Sequence, residues 1–267
     1  IGLVTLVVLF SGIPVAFGLG LVAFAVLWMA QGWPAVAFLC EKLFNGLEDF
    51  TLVSIPMFVM MGASVASSRA GADLYEAFAR WFHRLPGNLV AANIGACALF
   101  SALTGSSPAT CAAIGKMGIP EMQKRGYGDD LATGAIAAGG TLGILIPPST
   151  AFIIYAILTE QSIGRLLLAG FFPGLLLTTL FVITIWIWAR INPKIAPAGP
   201  VANRAERMRS LGRAGPMTGV VAITIGGIYA GAFTPGEAAG VGAFLSLLYA
   251  IWKKALGGGV FSDVLLD

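Results

Sequence analysis

The sequence predicts an all-α integral membrane protein, and three observations support this fold class. Of the 267 residues, 57% are hydrophobic and 11% are charged, and the mean hydropathy is +0.86. An average soluble domain has about 25% charged residues. Several apolar runs reach the roughly 18 residues with which a helix spans a bilayer. Glycine, proline and hydroxyl residues interrupt two of these runs, and non-helical backbone at membrane depth is tolerated only where it is buried in protein or lines a cavity. The sequence therefore predicts a solute site at the two breaks.

Residues 1–71 are predicted to form scaffold-type transmembrane helices. The apolar stretch 3–30 is interrupted by Gly12 and Pro14, which leaves two interpretations open: one kinked helix, or the end of one span and the start of another. Residues 31–50 contain four charged side chains and are predicted to be a connector. A methionine-rich span is expected over residues 51–68.

Residues 72–87 are predicted to form an amphipathic helix that lies along the membrane interface. Apolar side chains recur there at helical spacing, with charged residues between them. The apolar positions are Leu74, Tyr75, Phe78, Trp81, Phe82 and Leu85.

A re-entrant helical hairpin is predicted over residues 88–118. Its first arm, residues 88–104, would be about 25 Å long as a helix, and the chain is helical again from Pro108 to about Met117. The second arm is then too short to cross a bilayer, which a hairpin explains. The tip is expected at residues 106–108, with Ser107 as the N-cap and Pro108 at the first helical position.

A broken transmembrane helix is predicted over residues 129–158. Pro147 and Pro148 remove two backbone donors in its middle, and Ser149 and Thr150 would open a second half-helix. With the hairpin, this element would form half of a transport domain over residues 88–164.

The remaining chain is predicted to contain a transmembrane helix at 165–189 and a cytoplasmic loop at 190–214. Two more apolar segments follow in residues 215–267. All 16 lysines and arginines except Lys42 and Arg165 fall on one side of this topology, which the positive-inside rule makes cytoplasmic.

Residues 14–30 and 235–250 share a proline followed by small residues and a Gly-x-Gly pattern, and they run in opposite directions in this topology. This pattern predicts an inverted-topology repeat. Residues 215–267 would then be the start of a second repeat that is truncated at Asp267.

Each helix break offers two kinds of backbone end. The half-helices that end at Thr104-Gly105 and near Gly143 present carbonyl groups that suit a cation. Those that start at Ser107 and Ser149 present N–H groups and positive dipole ends that suit a carboxylate. Hydroxyl oxygens without carboxylates favour a monovalent cation, for which sodium is the natural candidate. The alternative is that these hydroxyls only bond to their own helical turn or to neighbouring helices.

The sequence also argues against several other functions. Charged residues and histidine are missing from the middle of the predicted spans, so the buried acid or histidine chain of a proton relay is not expected. The single histidine, His83, lies on the predicted surface helix, which disfavours a serine hydrolase. Phosphate-binding glycine motifs are also absent. We therefore predict that the chain is not an enzyme and has no nucleic-acid partner.

Five segments of the chain resemble a known family when they are taken in order. They are GIPVAF at 12–17, SIPMF at 54–58, GSSPAT at 105–110, GTLGILIPPS at 140–149 and FTPGEAA at 233–239. This order resembles the N-terminal part of the large membrane subunit, the permease, of TRAP (tripartite ATP-independent periplasmic) transporters. The likeness covers essentially the whole chain. The hairpin tip and the GTLG…PPS break are its specific parts.

The resemblance implies an elevator-type secondary transporter of the bacterial inner membrane, built from two inverted repeats. Its partners would be a small four-helix membrane subunit, a periplasmic substrate-binding protein and membrane lipid. It would use a sodium gradient to import an organic acid, either a carboxylate or a sugar acid similar to sialic acid.

The chemistry of the helix breaks and the resemblance together give the expected site residues. The sodium site would involve Thr104, Gly105, Ser106, Thr110, Thr141, Gly143, Pro147 and Ser149. The substrate would contact Ser106, Ser107, Pro108, Thr110, Ser149 and Thr150.

Two alternatives to this function stay open at the level of sequence. One is a sodium/anion symporter of similar elevator fold that works without a binding protein. The other is a non-transporting structural membrane subunit whose helix breaks are packing features.

Overall fold

The computed structural model describes residues 2–48, 50–193, 195, 197 and 202–253, and its secondary structure in these ranges is helical. Parts of three predictions lie outside the described residues. They are positions 194, 196 and 198–201 of the predicted loop, positions 254–267 of the predicted second repeat, and Lys194 and Lys254 of the charge distribution. The chain forms two compact units, Ile1–Leu52 and Val53–Asp267.

In the first unit, the apolar stretch 3–30 forms two helices, α1 (Gly2–Phe10) and α2 (Val15–Gln31). Between them, Gly12 has a φ of +81°, a conformation that favours glycine. Val8 Cγ1 lies 3.0 Å from the position that a β-carbon would take on Gly18. Residues 8 and 18 of one continuous helix would be roughly 15 Å apart, so the chain reverses here and the two-helix interpretation is correct.

The predicted connector over residues 31–50 is wrong for residues 34–48, which form α3 (Pro34–Glu48). Pro34 occupies the first helical position, where a missing N–H group is tolerated. The charged side chains of Glu41, Lys42 and Glu48 are exposed on this helix. They are good helix formers, so charge alone did not indicate a loop.

The second unit begins at Val53, the last residue of a short 3-10 helix at Phe50–Val53. Ten helices lie in its described part: α4 (Ser54–Ala66), α5 (Ala70–Trp81), α6 (Asn88–Thr104), α7 (Ser107–Lys124), α8 (Asp129–Gly140), α9 (Leu142–Leu145), α10 (Thr150–Leu158), α11 (Ile163–Ile191), α12 (Arg204–Tyr229) and α13 (Pro235–Trp252).

Helix α6 is the centre of this unit. All of its residues are buried except Ala98 and Leu99, which are half-buried. Helices α4, α5, α7, α8, α9 and α11 all pack against it. A helix that is apolar all round is expected to be enclosed by others in this way, so the end of α6 at Thr104 lies inside the protein.

Helix α5 covers residues 70–81, so the amphipathic helix predicted at 72–87 is wrong for residues 82–87, which form bends and turns. Pro86 and the positive φ of Gly87 interrupt a helix there. Its apolar face, which includes Leu74 and Tyr75, is buried against α6 and α12. On its other face, Glu76 forms ion pairs with Arg80 of the same helix and with Arg213 of α12. That α5 lies at a membrane interface stays a prediction.

Helix α7 is longer than predicted and continues past Met117 to Lys124. The second arm was predicted to end at about Met117, but a buried stripe of Ile114, Gly118 and Met122 continues along one face. This packing outweighs the loss of one hydrogen bond at Pro120. The arm is therefore 18 residues long, and the argument that it is too short to cross a bilayer is wrong.

The predicted loop over residues 190–214 is wrong for residues 204–214, which form the first turns of α12. Asn203 and Glu206 make a capping box: the backbone N–H of Asn203 donates to Glu206 Oε2, and that of Arg204 donates to Asn203 Oδ1. Ser210 and Ala214 are buried and continue the packed face of the helix. The Asn-x-x-Glu pattern at residues 203–206 was the sequence signal for the start of this helix.

In the part of the chain that the structure describes, three helical segments are long and apolar enough to cross a membrane: Asp129–Leu158, Ile163–Ile191 and Arg204–Tyr229. In the most apolar window of Ile163–Ile191, only 17% of the residues are buried inside the protein. Such an exposed apolar helix is stable in lipid but not in water. The chain is therefore a helical membrane protein.

Helix α13 begins at Pro235 and packs against α4 and α12. Thr234 and Glu237 form a capping box at its start, in which the backbone N–H of Thr234 donates to Glu237 Oε2 at 2.8 Å. Pro14 is the N-cap of α2 and Pro235 is the first residue of α13. The inverted relation between the two helices stays a prediction.

Candidate functional site

The first helix break lies where α6 ends and α7 begins. Gly105 ends α6 with a φ of +58°, and its N–H donates to the Ser101 carbonyl at 2.8 Å. Ser106 follows in an extended conformation and is the N-cap of α7, so Ser107 is the first helical residue and the prediction of Ser107 as N-cap was wrong by one position. Pro108 is the second helical residue, where its missing N–H is also tolerated.

The second break lies between α9 and α10. Helix α9 ends at Leu145, the chain is extended at Ile146, and Ser149 is the extended N-cap of α10. The Pro147–Pro148 peptide bond is cis. Both prolines are buried, so this irregular backbone is enclosed by protein.

The two breaks are in contact with each other. The Thr150 hydroxyl donates to the Gly105 carbonyl at 3.4 Å. A β-carbon on Gly105 would collide with the Pro148 carbonyl oxygen, and one on Gly143 would lie 2.6 Å from the Ser107 amide nitrogen. Glycine at these two positions is what allows the breaks to approach so closely. The structure thus joins the two predicted breaks in one region.

Three buried hydroxyls form a cluster beside the first break. Thr104 Oγ1 lies 3.1 Å and Ser101 Oγ lies 3.4 Å from Thr110 Oγ1. The Thr110 hydroxyl is also within 2.9 Å of the Ser106 carbonyl, to which it can donate. A hydroxyl that donates its single proton keeps lone pairs for another partner. The cluster is therefore a source of neutral oxygen ligands.

Sequence reasoning missed Ser101 as a member of this cluster. It lies three residues before Thr104, so both side chains project from the same face of α6. The helical spacing of two hydroxyl residues just before Gly105 was the available signal.

Two further hydroxyls are buried without a hydrogen-bond partner in the described part of the chain. They are Ser107 Oγ at the first residue of α7 and Ser149 Oγ at the N-cap of α10. Leaving a buried hydroxyl without a partner costs roughly 1 to 3 kcal/mol. Both lie at helix N-termini, where N–H groups and the helix dipole favour an anion.

The other expected site residues have different surroundings. Thr141 is exposed, and its hydroxyl donates to the Ala138 carbonyl at 2.6 Å, within its own helical turn. Pro108 is exposed, Ser106 is half-buried, and Pro147 is buried in the second break. The Thr141 hydroxyl is thus engaged with its own helical turn and not with the hydroxyl cluster.

Helix α4 supports the first break from the side. A β-carbon on Gly62 would lie 2.9 Å from Thr104 Cα and 3.2 Å from the Thr104 carbonyl oxygen. This close approach fixes the last turn of α6, and sequence reasoning did not foresee it because it joins residues far apart in the chain.

The ion pairs of the described residues lie elsewhere, between Glu76 and Arg80, Glu76 and Arg213, and Glu121 and Arg125. The part of the chain with described positions also holds no group of three or more His, Cys, Asp or Glu residues that could bind a metal. The ligands at the breaks are therefore hydroxyls, backbone carbonyls and backbone N–H groups, which suit a hard monovalent cation and a carboxylate.

Comparison with known proteins identifies the family. A family model described as "Tripartite ATP-independent periplasmic transporter, DctM component" matches residues 3–265. The chain belongs to the DctM family of TRAP transporters. This membership confirms the resemblance found in the sequence. DctM proteins are transporter permeases, so the prediction that the chain is not an enzyme is also confirmed.

Among relatives of this DctM-family chain, the C4-dicarboxylate TRAP transporter large permease protein DctM of Pseudomonas aeruginosa is 41% identical, over 82% of this chain and 51% of that protein. The protein of the same name from Vibrio cholerae is 38% identical, over 90% of this chain and 52% of its own length. The sialic acid TRAP transporter large permease protein SiaM of Vibrio cholerae is 35% identical, over 97% of this chain and 58% of its own length. The DctM-family chain thus spans about half the length of these relatives.

Proposed function

We propose that the chain is the N-terminal part of a large permease that couples sodium movement to import of an organic acid. The observation that supports this function is the contact between the two helix breaks. It brings two half-helix N-termini, one half-helix C-terminus and a hydroxyl cluster into one region. Discontinuous helices with this combination of ends are typical of ion and substrate sites in secondary transporters.

Sodium fits the oxygen atoms beside the first break. Oxygens that share a hard cation at roughly 2.3 to 2.6 Å lie about 3 to 4 Å from one another, and Thr110 Oγ1 lies at such distances from Thr104 Oγ1 and Ser101 Oγ. In our proposal these hydroxyls and the Thr104 and Gly105 carbonyls hold sodium. The second break would add Gly143, Pro147 and Ser149, whereas Thr141 would have to rotate its hydroxyl away from Ala138.

A carboxylate fits the two helix N-termini. The hydroxyls of Ser107 and Ser149 lack partners and would donate to it, together with backbone N–H groups at the start of α7 and α10. Ser106, Pro108, Thr110 and Thr150 would form the remaining contacts. A cation beside an anion also stabilises both, which provides a physical basis for coupling.

The relatives support an organic acid as substrate. Their names include C4-dicarboxylate and sialic acid, both of which contain a carboxylate. We therefore propose that the permease recognises a carboxylate group, with a C4-dicarboxylate as the first substrate to test.

The full-length permease would act with a small four-helix membrane subunit and a periplasmic binding protein in the bacterial inner membrane. Two inverted repeats would move the site across the membrane by an elevator mechanism. The distribution of lysine and arginine supports a cytoplasmic position for the C-terminal end of α5 and the N-terminal end of α12.

The experiment is uptake of labelled succinate, a C4-dicarboxylate, and of labelled sialic acid into proteoliposomes. The vesicles hold the full-length protein with its small subunit, with or without a sodium gradient and the binding protein. We expect uptake only when both are present. Uptake with sodium alone would instead support a symporter that works without a binding protein, and uptake that is indifferent to sodium would contradict the proposal.

A further inference from the structure

The C-terminal end of α5 meets the N-terminal end of α12 at a surface that is rich in arginine. Arg80 Nη1 donates to the Glu206 backbone carbonyl at 3.4 Å, and Arg213 Nη1 donates to Glu76 Oε2 at 3.0 Å. These two contacts hold the helix ends together. They also occupy Glu76, so it does not neutralise the arginines that follow.

Three more arginines on α12 remain without an ion pair among the described residues: Arg204, Arg207 and Arg209. The acidic side chain nearest to them in sequence, Glu206, is engaged in the capping box with Asn203. The surface therefore has an excess of positive charge, which attracts an anion.

Two of these arginines line a cavity of about 510 Å³ between α5 and α12. Its walls are formed by Trp81, Arg204, Ala205, Arg207 and Met208. Arg207 Nε is buried and has no hydrogen-bond partner in the described part of the chain. The Trp81 and Met208 side chains are 48% and 63% exposed. The cavity wall is thus mainly apolar, and the Arg204 and Arg207 side chains contribute to it.

By its position along α12, the cavity lies at the outer edge of the headgroup layer of a bilayer. Arg213 is the last charged residue of this helix, and residues 214–229 are uncharged. Arg207 precedes it by roughly 9 Å of helix. The polar layer on each side of the hydrocarbon is about 5 to 8 Å thick, and arginine side chains extend several ångströms to reach it.

We propose that this cavity binds the headgroup of an anionic phospholipid. Arg204 and Arg207 would donate to the phosphate diester, since the planar guanidinium group matches phosphate oxygens. Trp81 and Met208 would cover the glycerol and the first acyl carbons, as tryptophan does at membrane interfaces. This lipid site is separate from the helix breaks and does not depend on the sodium or substrate proposals.

The test measures lipid retention by the full-length protein. The protein is reconstituted with phosphatidylglycerol or phosphatidylcholine and returned to detergent, and the retained lipid is counted by native mass spectrometry. We expect phosphatidylglycerol to be retained in preference to phosphatidylcholine. Arg204→Gln and Arg207→Gln should each lower this retention roughly tenfold or more, the loss expected for a hydrogen bond to a charged group, which exceeds the about fivefold effect of one arginine at an anionic surface.

Arg209→Gln is the matched control, because it removes the same charge from α12 at an exposed position outside the cavity. An equal loss of lipid retention in this control would mean that retention depends on diffuse surface charge, and would contradict a specific lipid site. Displacement of phosphatidylglycerol by inorganic phosphate would assign the cavity to a soluble anion and contradict a lipid. Unchanged lipid retention with release of a co-purified protein would show a protein interface instead. The wild-type preference between the two lipids tests the proposal even if a variant fails to fold.

Discussion

At the scale of single residues, Gly105 is the position that most constrains the site. Its φ of +58° favours glycine, and a β-carbon there would collide with the Pro148 carbonyl oxygen. Gly126 has a similar φ of +79° but open space around it. Substitutions at the two glycines can therefore distinguish the effect of backbone strain from the effect of the contact between the breaks.

We expect Gly105→Ala to lower both thermal stability and sodium affinity, whereas Gly126→Ala should lower stability only. Each substitution carries a strain of roughly 1 to 2 kcal/mol from the left-handed backbone. Gly105→Ala adds the displacement of the second break. Unfolding temperature in detergent and sodium titration of the two variants measure the difference. Equal effects of both variants on sodium affinity would refute a special role for Gly105.

Thr110 provides a second residue-scale prediction, because its hydroxyl links Ser101 and Thr104. Thr110→Val keeps the shape and should lower sodium affinity by roughly tenfold or more, the loss expected for an interaction with a charged partner. Thr178→Val is the matched control, since the Thr178 hydroxyl also bonds to a carbonyl four residues earlier but lies on α11. Isothermal titration with sodium measures both variants. If they retain the same affinity, the hydroxyl cluster does not bind the ion.

The residue types at the breaks were predictable from the sequence, because glycine, proline and serine each have a local reason to interrupt a helix. The part of Ser101 in the hydroxyl cluster and the packing of Gly62 against Thr104 were not predictable from the sequence. They depend on which helix faces meet, and packing between distant residues has no local signal in one sequence. Thr141 is the opposite case, a hydroxyl residue that the sequence placed in the site. Its hydroxyl donates instead to the Ala138 carbonyl of the preceding helical turn.

At the scale of elements, the short helix α9 determines how closely the second break approaches the first. Gly143 lies against the backbone of Ser106 and Ser107 at the start of α7. A side chain at this point meets backbone atoms, which cannot rotate away as a flexible side chain can.

We expect Gly143→Ala to separate α9 from α7 and to weaken substrate binding, with a stability loss of roughly 1 to 3 kcal/mol from overpacking. Gly134→Ala is the control on the neighbouring α8, where a β-carbon meets open space. It should be neutral or stabilise the helix by up to about 1 kcal/mol. Substrate binding and unfolding temperature test the pair. Normal substrate binding by Gly143→Ala would show that the contact between α9 and α7 is unnecessary.

Element boundaries were less predictable than the breaks. The second arm α7 continues to Lys124 because Ile114, Gly118 and Met122 keep one packed face, which outweighs the helix-breaking tendency of Pro120. Helix α12 begins at Arg204 because Asn203 and Glu206 cap it, although the arginine-rich composition resembled a loop. In both places a specific interaction overrode composition.

At the scale of the whole molecule, the chain is a helical membrane protein of the DctM family that spans about half the length of its curated relatives. Its membrane character and its family were predictable, because composition and motif order are properties of the sequence itself. The inverted repeat and the elevator motion stay predictions, since they concern relations between halves of a longer permease.

The most direct test of a site shared by sodium and an organic acid is the binding of succinate to the full-length permease at increasing sodium concentrations. If both ligands bind at the joined breaks, sodium should raise succinate affinity by about tenfold, and succinate should raise sodium affinity by the same factor. Potassium at equal ionic strength should have no such effect. Isothermal titration calorimetry measures both affinities. Succinate binding that is independent of sodium would contradict the shared site.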